Sequence, residues 1–332
     1  VTGALTRLAD LAVDRALKVL VAQEIARGRL PLPPEEAERA GGMVALAMGK
    51  MGAHELNYSS DIDLVLLFDE GRVAREDFPA ARAGFVRVAR AMTALLQDRT
   101  DGYVFRVDLR LRPDAAVTPV CMPMAAAEGY YESLGRTWER AAYIKARPCG
   151  GDLEAGERFL RGLRPFVWRK HLDFAAIQDA HDIRLKIRDH KGYHGPIALD
   201  GHDLKLGRGG IREIEFFVQT RQLIAGGRDP SLRARGTLDG LAALVAAGWV
   251  PEEAAARLAA HYRRLREVEH RVQMIADQQT HQLPAGPEGW ARLACLMGEE
   301  EEAVRRDLLA RMEEVHALTE GFFAPGQAAR GE

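Results

Sequence analysis

Two carboxylates at alternate positions, Asp61 and Asp63, stand at the mouth of an apolar run, Ile62, Leu64, Val65, Leu66, Leu67 and Phe68. Such a run is how a strand covered on both faces is usually written. An unpaired charge is costly to bury, so two of them side by side need a cation, an arginine or solvent. Alternate residues on a strand share a face, so both carboxylates are presented to one point. The residues ahead of them include Gly49, Lys50, Gly52, Ser59 and Ser60. A glycine turn there lets backbone N–H groups approach a phosphate closely.

A second stretch, FRVDLRLRP, alternates without a fault from Phe105 to Pro113. Phe105, Val107, Leu109 and Leu111 point one way, and Arg106, Asp108, Arg110 and Arg112 the other. If this strand neighbours the first, Asp108 joins Asp61 and Asp63. Three oxygen donors at one point suit a hard divalent ion, Mg²⁺ or Mn²⁺. The plainer alternative is that Asp61 caps a turn and Asp63 pairs with Arg110 at a sheet end. Taken alone, the D-x-D spacing favours the plainer alternative. A glycine pair upstream and a third aspartate on a later strand form the pattern of nucleotidyltransferases related to DNA polymerase β, whose two metals are held by three carboxylates.

The elements that must position these groups follow from periodicity. Leu5, Leu8, Leu11, Ala12, Val13, Ala16, Leu17 and Leu20 argue a helix with a broad apolar face, broken by PLPPEEAERAGG. Residues 43–48 read as a short buried strand, 61–68 as the next, and Pro79 to Gln97 as a helix before the third strand. From about residue 124 the period is helical almost everywhere, with breaks at RPCGGD, HKGYHGPIALDGHD, AGGRDPSL and LPAGPEG. The expected fold class is α+β: an N-terminal helical segment (1–40), a polymerase β-like nucleotidyltransferase domain with a small mixed sheet (41–150), and an all-helical bundle domain (151–332).

Further stripes carry charge at helical spacing. Arg208, Arg212, Glu215 and Gln219 fall on one face behind Gly209 and Gly210, which could expose free N–H groups. Arg136, Arg140, Tyr143 and Arg147 repeat the spacing beside Lys145, and Arg266, His270, Gln273 and Asp277 share another face. A solvated salt-bridge face accounts for such stripes equally well, and His270 reads as a structural hydrogen-bonding residue. Trp138, Phe216, Phe217 and Met274 read as core.

At 332 residues, the chain has room for about two domains. The formal net charge of -2 leaves no global footprint for nucleic acid or an anionic membrane. No apolar stretch approaches the roughly 20 residues that span a bilayer. Cys121, Cys149 and Cys295 show no paired spacing, so neither a disulfide framework nor a zinc site is indicated, and a cytoplasmic location fits. The absence of an initiator methionine suggests a piece of something longer.

The stretches GKMGAHELNYSSDIDLVLLF, FRVDLRLRP, YYESLGRTWERAAYIKARP, KLGRGGIREIEFFVQ and EHRVQMIADQQTHQLP together resemble the signature of the glutamine synthetase adenylyltransferase and adenylyl-removing family, in its order, from about residue 45 to 285. That family carries two similar halves, one attaching AMP to a tyrosine of glutamine synthetase and one removing it. ELNYSSDIDL and GRTWERAAYIKARP resemble the removing half. DAAVTPVCMP departs from the glycine-rich stretch usual after Arg112, and Ala53 and His54 replace a frequent glycine or arginine.

The resemblance implies phosphorolysis of adenylyl-tyrosine on glutamine synthetase, with Asp61, Asp63 and Asp108 binding Mg²⁺ or Mn²⁺. It implies phosphate or nucleotide contacts among Gly49, Lys50, Gly52, Ser59, Ser60, Arg110, Arg112, Lys145, Arg147, Lys205, Arg208, Gly209, Gly210 and Arg212, with Glu215 in support. Implied partners are adenylylated glutamine synthetase, inorganic phosphate and ADP, the PII signalling protein and the adenylylating half of a full-length chain. ATP-dependent adenylylation and a non-catalytic module sensing PII protein or glutamine remain alternatives.

Overall fold

The computed structural model describes residues 1–100, 102–170 and 196–320. The chain divides into two compact units, Val1–Arg169 and Lys170–Glu332. The first holds helices α1 (Thr2–Ala26), α2 (Gly49–Gly52), α3 (Phe78–Gln97), α4 (Met124–Ser133), α5 (Thr137–Tyr143), α6 (Leu153–Gly162) and α7 (Arg164–Val167). Its strands are β1 (Met43–Ala47), β2 (Ile62–Phe68), β3 (Val107–Asp108), β4 (Cys121–Pro123) and β5 (Arg147–Gly151).

The sheet is mixed. β1 lies antiparallel between β2 and β5, while β3 and β4 both pair parallel with β2, β3 at Ile62 and Asp63 and β4 at Leu66 to Phe68. Ile62 and Leu64 to Phe68 are all at most 1% exposed, as the unbroken apolar run predicts. Full burial of each such side chain is worth about 1.5–3 kcal/mol, so β2 is the anchor on which the carboxylates are mounted. One face packs on α1 and α3 through Val13, Leu17, Val21, Phe85 and Val88, with Phe68 stacked on Phe85 at 4.6 Å. α6 covers the other face, where a side chain at Gly156 would meet Val44.

Three expectations need correction. β3 spans two residues rather than nine, because the Asp108 carboxylate accepts the Arg110 N–H at 2.8 Å and turns the chain out of the sheet. Leu109 and Leu111 are consequently half-buried rather than core. The RPCGGD break is strand β5, an edge strand on which Pro148 and a bulge opposite Ala45 and Leu46 are tolerated. Leu8 and Leu11 of α1 are more than half exposed, as the buried face runs instead through Ala9, Val13, Ala16, Leu17 and Val21.

Gly52 ends α2 where the chain passes closest to its neighbours. A Cβ there would sit 2.1 Å from the Lys145 carbonyl oxygen and 2.7 Å from that of Ala47. Backbone atoms cannot yield as a flexible side chain can. Gly52→Ala is therefore expected to cost about 3 kcal/mol, lowering the melting temperature of the first unit by roughly 6–12 °C. A melting curve within 2 °C of wild type would mean that the α2 turn relaxes freely.

The described part of the second unit contains α8 (Ile211–Ala225), α9 (Thr237–Ala246), α10 (Glu252–Ala276), α11 (Pro287–Met297) and α12 (Glu301–Glu320), with an isolated bridge between Asp203 and Gln282. Its core gathers Phe217, Leu244, Leu258, Leu265, Trp290, Leu308 and Met312. Phe217 is buried as expected, whereas Met274, like Trp138 of the first unit, is more than a third exposed. The break read at 190–203 lies partly outside the described residues. No helix among the described residues is long and apolar enough to cross a membrane.

Candidate metal centre

Parallel pairing of β2 with β3 sets Asp63 directly opposite Asp108, and Asp61 precedes Ile62 on the same face. One carboxylate oxygen from each of Asp61, Asp63 and Asp108 lies within 4.8 Å of the others, and all three residues are half-buried. Two oxygens on opposite sides of a Mg²⁺ at ~2.1 Å would stand ~4.2 Å apart, so the cluster is close to ligating size. Its donors are all hard oxygens, the type Mg²⁺ and Mn²⁺ take, and among the described residues no nitrogen or sulfur ligand accompanies them. The donor set fits such an ion.

The turn that leads into α2 is shaped around this centre. Gly49 adopts φ +52°, and a Cβ on it would lie 2.7 Å from Oδ2 of Asp63. Only glycine accepts both the backbone angle and that approach without strain. The Met48 N–H donates to the Asp63 carbonyl at 2.9 Å, which fixes the turn against β2.

Arg110 closes the other side. Its guanidinium donates to both Asp108 oxygens, with Nη2 to Oδ2 at 2.5 Å, while its side chain stays 83% exposed. The plainer sequence reading pairs Arg110 with Asp63; the ion pair forms with Asp108. Burial pushes the Asp108 carboxyl upward, but the hydrogen bonds and charge of Arg110, aided by Arg112, outweigh it and hold the group below its ordinary value. Asp108 is thus poised as an anionic ligand.

The remaining basic candidates separate by what holds them. Arg112 spends its donors on the carbonyls of Leu109, Ala115 and Thr118, pinning the loop after β3. Lys145 is buried 3.5 Å from Glu55. Arg147 is buried on β5, with Nη2 donating to Asp10 of α1 at 2.8 Å and to the Met51 carbonyl at 3.0 Å. In the fold it ties α1, α2 and β5 together. Arg147→Ala should cost about 2 kcal/mol, since it strands a half-exposed carboxylate and a carbonyl. Thermal melting checks this; an unchanged melting temperature with a raised phosphate KM would return Arg147 to the phosphate site.

Ser59 is buried and its Oγ accepts from Arg106 Nη2 at 2.7 Å, and Ser60 is nearly as buried. Lys50 lies half-buried on α2.

In the second unit, the glycine pair does not leave helix α8 open. The N–H groups of Ile211 and Arg212 donate to the carbonyls of Leu204 and Lys205 at 2.8 and 2.9 Å. Gly209, at φ +71°, brings the turn so close to α12 that a Cβ would lie 2.1 Å from the Met312 carbonyl oxygen, and Gly210 is the N-cap residue. Arg208 precedes the helix instead of sharing its face. Arg212 is exposed and 3.4 Å from the buried Glu215. Lys205 and Arg208 are half-buried, and among the described residues neither has a carboxylate partner.

Sequence reasoning passed over Arg106, Asp10 and Glu55. Arg106 carried a usable signal, since it alternates onto the face of Asp108. Asp10 and Glu55 carried none, because their partners lie far along the chain.

Residues 1–162 match the family model for glutamate-ammonia ligase adenylyltransferase, and residues 180–323 match that for GlnD PII-uridylyltransferase. The chain is 55% identical, over 98% of its length, to a bifunctional glutamine synthetase adenylyltransferase/adenylyl-removing enzyme of Bradyrhizobium sp. strain ORS 278, covering 33% of that protein. Enzymes of the same name from Bradyrhizobium diazoefficiens and Brucella melitensis are 53% and 54% identical over 97% and 90% of this chain, covering 33% and 30% of their own lengths. The chain thus spans about a third of the curated relatives it matches. With this identity along nearly all of its length, it belongs to the family of bifunctional glutamine synthetase adenylyltransferase/adenylyl-removing enzymes, as a portion of such an enzyme.

Proposed function

We infer that this chain removes AMP from adenylyl-tyrosine of glutamine synthetase by phosphorolysis, giving ADP and the unmodified tyrosine. The observation that carries the reading is the convergence of Asp61, Asp63 and Asp108 within 4.8 Å beside Gly49. Its direction, removal rather than attachment, rests on the likeness of ELNYSSDIDL and GRTWERAAYIKARP to the removing half. A phosphate oxygen forms the new bond to the AMP phosphorus, the bond to the tyrosyl oxygen breaks, and that oxygen takes up a proton. Divalent ions held by the three aspartates would offset charge on the phosphoryl group and on the departing phenolate.

The chain's own residues supply the frame. Gly49 keeps the α2 turn against Asp63, and the buried β2 run fixes Asp63 and, just ahead of it, Asp61. Arg110 is the exposed cation at the centre and the first candidate to receive phosphate in this unit. Lys205, Arg208 and Arg212 are the candidates in the second unit, with Glu215 holding Arg212. Glutamine synthetase, the PII protein and the adenylylating half are the partners this reading brings with it, in the cytoplasm. Incubation with adenylylated glutamine synthetase, phosphate and Mg²⁺, followed by identification of the nucleotide released, tests it. Formation of adenylylated product from ATP, with no release, would assign the opposite activity.

A further inference from the structure

Arg106 occupies the position on the β3 approach that alternates with Asp108, and its carbonyl accepts the Ile62 N–H at 2.8 Å. The period of two puts its side chain on the face that carries the three carboxylates. Its guanidinium donates to Ser59 Oγ at 2.7 Å and to the Tyr103 hydroxyl at 2.6 Å, and lies 4.9 Å from the Tyr103 ring centroid. Both partners are neutral.

That separates Arg106 from several other arginines of the unit. Arg72, Arg87, Arg110 and Arg147 each hold a carboxylate, whereas Arg106 has none among the described residues. Arg112 and Arg140 also lack a carboxylate among the described residues, but they spend donors on backbone carbonyls rather than on side-chain hydroxyls. The Arg106 Nε is buried with no acceptor among the described residues. A partly buried cation without a counter-ion is costly, and Ser59 and Tyr103 offset that only as neutral acceptors. Two of its five donors are used by them, which fixes the plane of the fork and leaves donors over. A planar fork of this kind matches a phosphate group. A structural pin for the Ser59 loop would need one hydrogen bond, which a neutral side chain could supply.

We propose that Arg106 is a substrate-binding residue that takes a phosphate oxygen of the nucleotide at the adjacent carboxylate centre, with Ser59 and Tyr103 setting its orientation. This deepens the phosphoryl-transfer reading and rests on it.

The test is binding of ADP and of adenosine to the whole chain in the presence of Mn²⁺, in wild type, Arg106→Gln and Arg106→Lys, with Mn²⁺ affinity measured separately. Arg106→Gln should weaken ADP about tenfold or more, in line with loss of a charge-assisted pair, while adenosine and Mn²⁺ binding stay within twofold. Arg106→Lys, which retains the cation and answers the question if the glutamine variant does not fold, should weaken ADP severalfold. A purely structural role would move ADP and adenosine together, and an unchanged ratio in a folded variant overturns the assignment. Wild type that binds neither nucleotide with Mn²⁺ would overturn the phosphoryl-transfer reading and this inference with it.

Discussion

Asp63→Asn is expected to lower turnover by about three orders of magnitude while the protein melts as wild type does. The substitution is nearly isosteric, and Asp63 meets Met48, just past β1, and β3 through its backbone, which is untouched. Its side chain is half-buried between the fully buried Ile62 and Leu64, so the strand has no reason to shift. What changes is charge at the centre of the cluster. Loss of one metal clamp removes about 4 kcal/mol of transition-state stabilisation, equivalent to about a thousandfold in rate. Mn²⁺ affinity should fall in parallel, which separates loss of the ion from a chemical defect alone. Asp61→Asn should behave alike, whereas Asp108→Asn also releases Arg110 from its ion pair. A folded Asp63→Asn variant turning over within a few-fold of wild type would remove this residue from the mechanism.

Much of this site was legible before the fold was known, and the reason is local. The D-x-D spacing and the alternation of FRVDLRLRP each assign faces within one strand, and a strand's two-residue period is hard to misread. That the two strands are neighbours is not local information. It depends on the parallel pairing of β2 with β3, across α3, and only the fold supplies it. The strand's end was misread because Asp108 accepts from the Arg110 backbone and stops the ladder, a side-chain effect invisible to hydrophobic pattern. Basic residues were legible as charge but not as partners. Arg147 meets Asp10 across 137 positions, and the N–H groups behind Gly209 and Gly210 are satisfied by Leu204 and Lys205. Conversely, Arg106 is visible on the right face in the sequence, but that it has no carboxylate among the described residues appears only in the fold.

The chemistry that separates removal from hydrolysis yields a second large predicted effect. Inorganic phosphate is a multiply charged anion approaching a phosphodiester that is already negative, and at close range the repulsion between such charges amounts to several kcal/mol even at an effective dielectric of ~20. Water meets no such barrier and needs no cation to approach. A centre built for phosphate therefore requires fixed positive charge beside its ions, and Arg110 stands at the carboxylate cluster with its side chain open to solvent. Nucleotide release from adenylylated glutamine synthetase is accordingly expected to depend on inorganic phosphate and to yield ADP. Without phosphate, release should fall by at least a hundredfold, since ~3 kcal/mol of lost stabilisation corresponds to about that factor. Arg110→Ala should raise the phosphate KM while the protein remains folded, because the exposed side chain contributes nothing to the core. Product analysis by chromatography, with and without phosphate, decides the matter. AMP appearing at an undiminished rate in phosphate-free buffer would identify the reaction as hydrolysis, and Arg110 would then be no more than a clamp on Asp108.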